Sequence, residues 1–161
     1  MADSAPQIFH CNDWHTAFAP LYPRSVYAWD RLFAETRTVL TIHNIGYQGI
    51  FPAASAGDLG LGDAQNLLHQ DELRTGRINS LRHGILYADV ITTVSPTYAR
   101  EICTDEYGMG LQGALRARGA AVIGILNGVD YTVWNPATDP HLPHHITAPR
   151  ISRARRESSS S

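Results

Sequence analysis

Four short polar clusters each close an apolar run: Asn12-Asp13-Trp14-His15 after Gln7 to Cys11, His43-Asn44 after Val39 to Ile42, Ser95-Pro96 after Asp89 to Val94, and Asn127-Gly128 after Val122 to Leu126. In open α/β sheets, ligands bind in the crevice beyond the carboxyl ends of the strands. Parallel pairing of the four runs would gather the clusters on one rim, and that rim is the candidate site. His43 is the first candidate, because it ends a β-branched run of the kind expected for a strand buried on both faces. Glycines 46 and 49 follow it and allow tight turning or close approach to a ligand.

Taken singly, each cluster has a plainer reading. Asp13 and Ser95 suit helix caps, Asn127-Gly128 suits a turn, and a single histidine after a strand is most often a structural hydrogen-bonder. Only their coincidence on one rim favours function. A metal centre built from His10, Cys11, His15 and His43 is disfavoured, because side chains alternate along a strand and no His-x-x-x-His pair is present. Ser95 precedes a proline and lacks a G-x-S-x-G turn, Cys103 falls in an expected helix, and no G-x-x-x-x-G-K phosphate loop occurs. What remains is a set of hydrogen-bonding groups with few titratable members. Such groups suit the hydroxyls of a sugar, with Trp14, Tyr47 or Trp134 to pack on its apolar face.

The elements that must position these residues can be read in order. A first strand leads to Asp13, which is placed to cap a helix from Trp14 that Pro20 and Pro23 limit. After the strand ending at His43, residues 45–79 carry only a weak helical pattern around Gln65 to Leu68 and are expected to hold short helices and a functional loop. Ser80 should cap a helix through Tyr87. Ser95-Pro96 should open another, with Tyr98 and Ile102 one turn apart, and a further helix from Leu111 should stop at Gly119. Strands alternating with helices predict an α/β, Rossmann-like parallel sheet flanked by helices.

The chain has 161 residues, enough for one domain with a real core. Hydrophobic residues make up 43% and charged ones 17%, as in a folded globular chain. A net charge of -2 offers no electrostatic reason to expect nucleic acid or an anionic membrane as partner. Two distant cysteines indicate neither a disulfide framework nor a zinc ribbon, and a reducing cytoplasm is the expected location. The proline-rich end, running into Arg153-Ala154-Arg155-Arg156 and four serines, is expected to be disordered from residue 147 to 161.

Five ordered motifs carry a resemblance: Cys11 to His15 (CNDWH), Thr41 to Gly49 (TIHNIGYQG), Thr92 to Glu101 (TTVSPTYARE), Tyr107 to Leu111 (YGMGL) and Gly124 to Pro140 (GILNGVDYTVWNPATDP). Together they resemble bacterial glycogen synthase and plant starch synthase, from about Gln7 to His145. The resemblance implies a retaining glycosyltransferase of two Rossmann-like domains that transfers glucose from ADP-glucose to the 4-hydroxyl end of an α-1,4-glucan, with no metal and no cofactor. By motif, His43 and Asp13 are the implied catalytic residues, and His15, Asn44, Tyr47, Gln48, Gly49 and Asn127 the implied substrate-binding ones.

The family's chain opens with a strand leading into a Lys-Thr-Gly-Gly-Leu loop that contacts the donor, and this sequence starts after it. It also ends before the second domain, whose basic residues hold the diphosphate. Residues 1–146 are therefore expected to be a partial N-terminal half of the synthase, inactive without the C-terminal nucleotide-binding domain. The alternative from another class is a non-catalytic glucan-binding module or partner subunit.

Overall fold

Side chains of an extended strand point alternately to its two sides, and the segment Arg37–Ile42 uses that alternation to bury Thr38, Leu40 and Ile42 while Val39 and Thr41 stay half-exposed. It is strand β2 in a computed structural model that describes residues 5–143. Strand β1 (Ile8–Asn12) lies beside it, β5 (Val90–Thr93) on its other side, and β6 (Val122–Gly124) beyond β5. All three pairings are parallel, with Asn12 opposite Thr41 and Thr41 opposite Thr92. The expected Rossmann-like sheet is present.

Each strand is added on the same side of its predecessor, in the order β1-β2-β5-β6. Connections between parallel strands are almost always right-handed, so equal steps place the connecting segments on one face of the sheet. The core follows this rule. Cys11, Leu40, Ile42 and Ile91 from the strands are buried with Leu81 and Ile85 of helix α3 (Ser80–Tyr87), Ile102, and Leu115 of helix α5 (Gln112–Arg118). Helix α1 (Asp13–Thr16) and the 3-10 turn after it close the same side, and a Cβ on Gly84 of α3 would lie 2.8 Å from Ala17 Cβ and 2.9 Å from Leu40 Cδ2. Ile8, His10, Val39, Thr41 and Ile123 share the opposite face, and none of them is buried. The expectation that the run before His43 is buried on both sides is thus corrected, since among the described residues the layer of helices covers one face.

The segment expected to be short helices and loop also contains an antiparallel ladder, β3 (Ile50–Pro52) with β4 (Arg77–Asn79), which the sequence reading missed. Between its strands come 3-10 turns and helix α2 (Gln70–Arg74), and a second cluster forms around Leu21, Ala56, Leu61, Leu68 and Ile78. His83 ties this subassembly to α3. Its Nδ1–H donates to the Asn79 carbonyl (2.7 Å), and Nε2 accepts the His69 amide proton (2.9 Å). Both ring nitrogens are committed in the neutral form.

One cap here differs from expectation. Asn79, not Ser80, caps α3 by accepting the Arg82 amide proton at 3.0 Å, and the Ser80 hydroxyl donates instead to the Trp14 carbonyl. Ser95 does cap helix α4 (Pro96–Glu101), accepting from Tyr98 at 3.0 Å, and Gly119 ends α5 at φ +53. Gly49 sits at φ +61 directly under Trp14, where a Cβ would approach the indole to 2.4 Å. Only glycine meets both demands.

Residues from Asn127 onward form a second compact unit, a division that falls within the span 1–146 expected for one domain. Its described part is a series of turns. The Asp130 carboxylate accepts from the Thr132 hydroxyl and amide, which hold its carboxyl below the usual range, and the Trp134 amide bonds to the Asp130 carbonyl at 2.8 Å. Residues 147–161, expected to be disordered, lie outside the described residues.

Two measurements check this packing. Burial pushes His83 below the ordinary histidine range, outweighing the Asn79 carbonyl and the Glu72 charge that favour its cation. An unfolded histidine takes up its proton near pH ~6.5, so below that value the unfolded chain binds more protons and stability falls as pH drops. The urea midpoint is therefore expected to be lower at pH 5.5 than at 7.5, and the difference should shrink in His83→Gln. Gly49→Ala is expected to cost about 2–4 kcal/mol, from overpacking against Trp14 and a left-handed backbone, read by urea unfolding.

Candidate active site

Strand β1 stops at Asn12 and the chain turns at once into α1 through Asp13, whose φ is +51. The left-handed region costs a residue with a side chain about 1–2 kcal/mol, although aspartate tolerates it better than most. The turn aims the carboxylate at the neighbouring strand tip. Asp13 Oδ1 accepts the His43 amide proton at 2.7 Å and lies 3.4 Å from the Asn44 amide nitrogen. Asp13 is therefore not the helix cap expected from sequence; α1 has no side-chain cap.

The His43 ring is exposed, and its Nε2–H donates to Asn12 Oδ1 at 3.0 Å. An amide oxygen accepts only, so Nε2 carries the proton and Nδ1 is left as an acceptor for another partner. Asn44 is exposed and folds its Oδ1 back onto the Gly46 amide (2.9 Å) in an Asx turn. The next amide, Ile45, donates to the Tyr98 hydroxyl at 3.0 Å. Three successive backbone amides after β2 are thus held by side chains from α1 and α4.

Beyond this tip the same loop forms one wall of a cleft of about 580 Å³ lined by Trp14, Gly46 to Phe51, and Met109. Tyr47 is 67% exposed there. Gln48 bonds through its side chain to Asn79 and to the Met109 carbonyl. His15 is exposed on α1 and stacks on the Trp14 indole with ring centroids 3.9 Å apart. Asp13, His43 and Asn44 are therefore brought together, Tyr47, Gln48 and Gly49 share the adjoining cleft, and His15 reaches it through Trp14. Asn127 belongs to the second unit, where it is exposed.

Beneath the tip runs a polar line on the open face of the sheet. His10 Nε2 and Thr41 Oγ1 are 2.7 Å apart, and Thr41 Oγ1 and Thr92 Oγ1 2.6 Å. Cys11 faces the other way into the core, where burial pushes its thiol up to about 11, and it stays neutral. Among the described residues no three His, Cys, Asp or Glu side chains are grouped to hold a metal ion.

Three contributors were not singled out from the sequence as site residues, Asn12 being read there only as part of the first polar cluster. Asn12 was legible in principle, because period-two alternation puts it with His10 on the opposite side from Cys11. Tyr98 reads as an apolar helix position, and nothing local announces that its hydroxyl meets Ile45. Met109 carries a signal only in its two flanking glycines.

Comparison with known proteins follows the same residues. The model of the starch synthase catalytic domain matches residues 1–117. The glycogen synthase of Thermodesulfovibrio yellowstonii is 51% identical over 136 residues, 84% of this chain and 27% of that protein. That of Thermotoga maritima is 50% identical over 140 residues, 87% of this chain and 29% of that one. The catalytic domain of starch synthase IV from Arabidopsis thaliana, solved with ADP and acarbose bound, superposes with a TM-score of 0.71 at 38% identity and covers 95% of this chain and 33% of that one. The chain thus spans under a third of the length of these glycogen synthases. With its parallel Rossmann-type sheet and its matched motifs, it belongs to the starch synthase catalytic-domain family, of which it carries a part.

Proposed function

We propose that the tips of β1 and β2 form half of the cleft of a retaining glycosyltransferase that moves glucose from ADP-glucose to the 4-hydroxyl end of an α-1,4-glucan. The observation that supports this best is the Asp13 carboxylate holding the backbone amides of His43 and Asn44, two adjoining residues whose imidazole and side-chain amide are exposed. Such a pair can orient a hexose and stabilise charge that develops at its anomeric centre or on a departing phosphate. In this reading His43 meets the transferred glucose, and Asp13 completes the catalytic pair by acting through the His43 backbone. Asn44, Tyr47, Gln48, Gly49 and His15 shape the sugar-binding surface, and the part given to Asn127 rests on its motif.

The solved starch synthase relative holds ADP and acarbose, which accords with a nucleotide and a saccharide as ligands. Because the chain spans under a third of its glycogen synthase relatives, we place the diphosphate-binding groups in a C-terminal nucleotide-binding domain beyond it, and we expect no turnover without them. A glucan-binding module without catalysis is the second reading, favoured by the aromatic cleft of Trp14, Tyr47 and Phe51.

Assay of labelled glucose transfer from ADP-glucose to glycogen by the purified chain is expected to show none, while the chain is retained in glycogen-containing gels. Clear turnover would refute the half-cleft assignment. Asp13→Ala is expected to destabilise the chain by about 1–2 kcal/mol through loss of a charge-assisted acceptor, whereas Asp13→Asn keeps Oδ1 and most of the stability. Urea unfolding of the two variants separates these outcomes, and equal losses would show that the carboxylate's charge, not its acceptor geometry, holds the loop.

A further inference from the structure

The loop between α4 and α5, Tyr107 to Leu111, brings Met109 to the cleft shared by Trp14 and Tyr47, and its backbone is constrained from Gly108 to Gly110. A Cβ on Gly108 would lie 2.4 Å from Gln112 Cβ and within 2.8 Å of the Thr104 and Ile102 carbonyls, so the chain has no room to drift inward there. Met109 follows at φ +50 and Gly110 at φ +85. A methionine in the left-handed region is strained, and such strain persists only where surrounding contacts over-determine it.

Those contacts come from the loop after β2 and from α3. The Met109 carbonyl accepts from Gln48 Nε2 at 2.9 Å, and the next carbonyl, of Gly110, accepts from Arg82 at 3.1 Å. Gln48 is itself fixed at both ends: its Oε1 accepts from Asn79 Nδ2 at 2.7 Å, and its own carbonyl accepts the Leu81 amide proton at 3.0 Å. Arg82 is anchored by Glu72. The two donors that hold the strained loop therefore stand on the start of α3 and on the loop after β2. Met109 is 59% exposed and lines the same cleft as Trp14 and Tyr47.

The geometry points to Gln48 as a positioning residue, a clasp that holds Met109 in its left-handed conformation and thereby sets the width of the cleft for an α-1,4-linked glucose chain. This deepens the glucan reading above and rests on it. Gln48 then acts on the sugar through the loop opposite, and Met109 supplies an apolar wall that faces the pyranose while Trp14 and Tyr47 supply the other.

The test uses the whole 161-residue chain and maltoheptaose, with affinity from calorimetry and amide hydrogen exchange of Tyr107 to Leu111. Gln48→Glu keeps the acceptor for Asn79 but sets a carboxylate against the Met109 carbonyl. It is expected to weaken maltoheptaose binding about tenfold, the worth of one hydrogen bond, and to speed exchange at Leu111. In a Met109→Gly background, where the left-handed backbone needs no support, Gln48→Glu should bring no further loss of affinity. A merely structural glutamine would instead give additive losses in the double variant.

Additive losses, or Gln48→Glu binding as tightly as the unaltered chain with loop exchange unchanged, overturn the clasp and leave the glucan reading standing. Failure of the unaltered chain to bind maltoheptaose overturns the glucan reading, and the clasp as a binding device falls with it. A Gln48→Glu chain that does not fold is replaced by Gln48→Met, which removes the donor without a charge and is held to the same two outcomes.

Discussion

A single carboxylate oxygen holds the two strand tips of the candidate site together. Asp13 Oδ1 spans from the tip of β1 to the first two amides after β2, and the direction of the chain on both sides depends on that grip. Without an acceptor there, the amide of His43 would face a strand tip that offers none, and the imidazole would have no fixed bearing relative to Asn12. The contact exists because β1 and β2 run parallel in a register that sets Asn12 beside Thr41, bringing their carboxyl ends level. It also needs the left-handed turn at Asp13, a strain that hydrogen bonds to two backbone amides offset.

The remaining contacts of the rim repeat that logic of borrowed partners. Ile45 is held by Tyr98 from α4, Gln48 by Asn79 from β4, and Gly49 by the Ser80 amide at the start of α3. A loop of seven residues is thereby fastened to four different elements, although its own structure is only an Asx turn and a backbone turn from Asn44 to Tyr47. Loops that carry function on a rigid scaffold are expected to be fixed this way, because their backbone groups have no ladder to pair with.

Particular residues show where local reading succeeds. Ser95-Pro96 announces a capped helix, and the cap forms, since a hydroxyl acceptor and a preset φ act within one turn of chain. Gly119 stops α5 for an equally local reason. Asp13 and Ser80 look like the same kind of cap and are not: each side chain is diverted to a partner more than two dozen residues away, His43 in one case and Trp14 in the other. The β3–β4 ladder went unread because its two strands are three residues long and separated by a stretch rich in turns, too short for a period-two pattern to register.

The sequence by itself determined the parallel α/β character, the four strand runs, their polar endings and the family to which the chain belongs, because apolar periodicity, capping residues and ordered motifs are properties of neighbouring letters. Tertiary structure decided which of those endings meet. It set Asp13 to serve His43 and not α1, turned Gln48 toward the Met109 loop, and left one face of the sheet without helices among the described residues. Those outcomes depend on strand order, register and the handedness of each connection, which bring together residues that the chain itself keeps far apart.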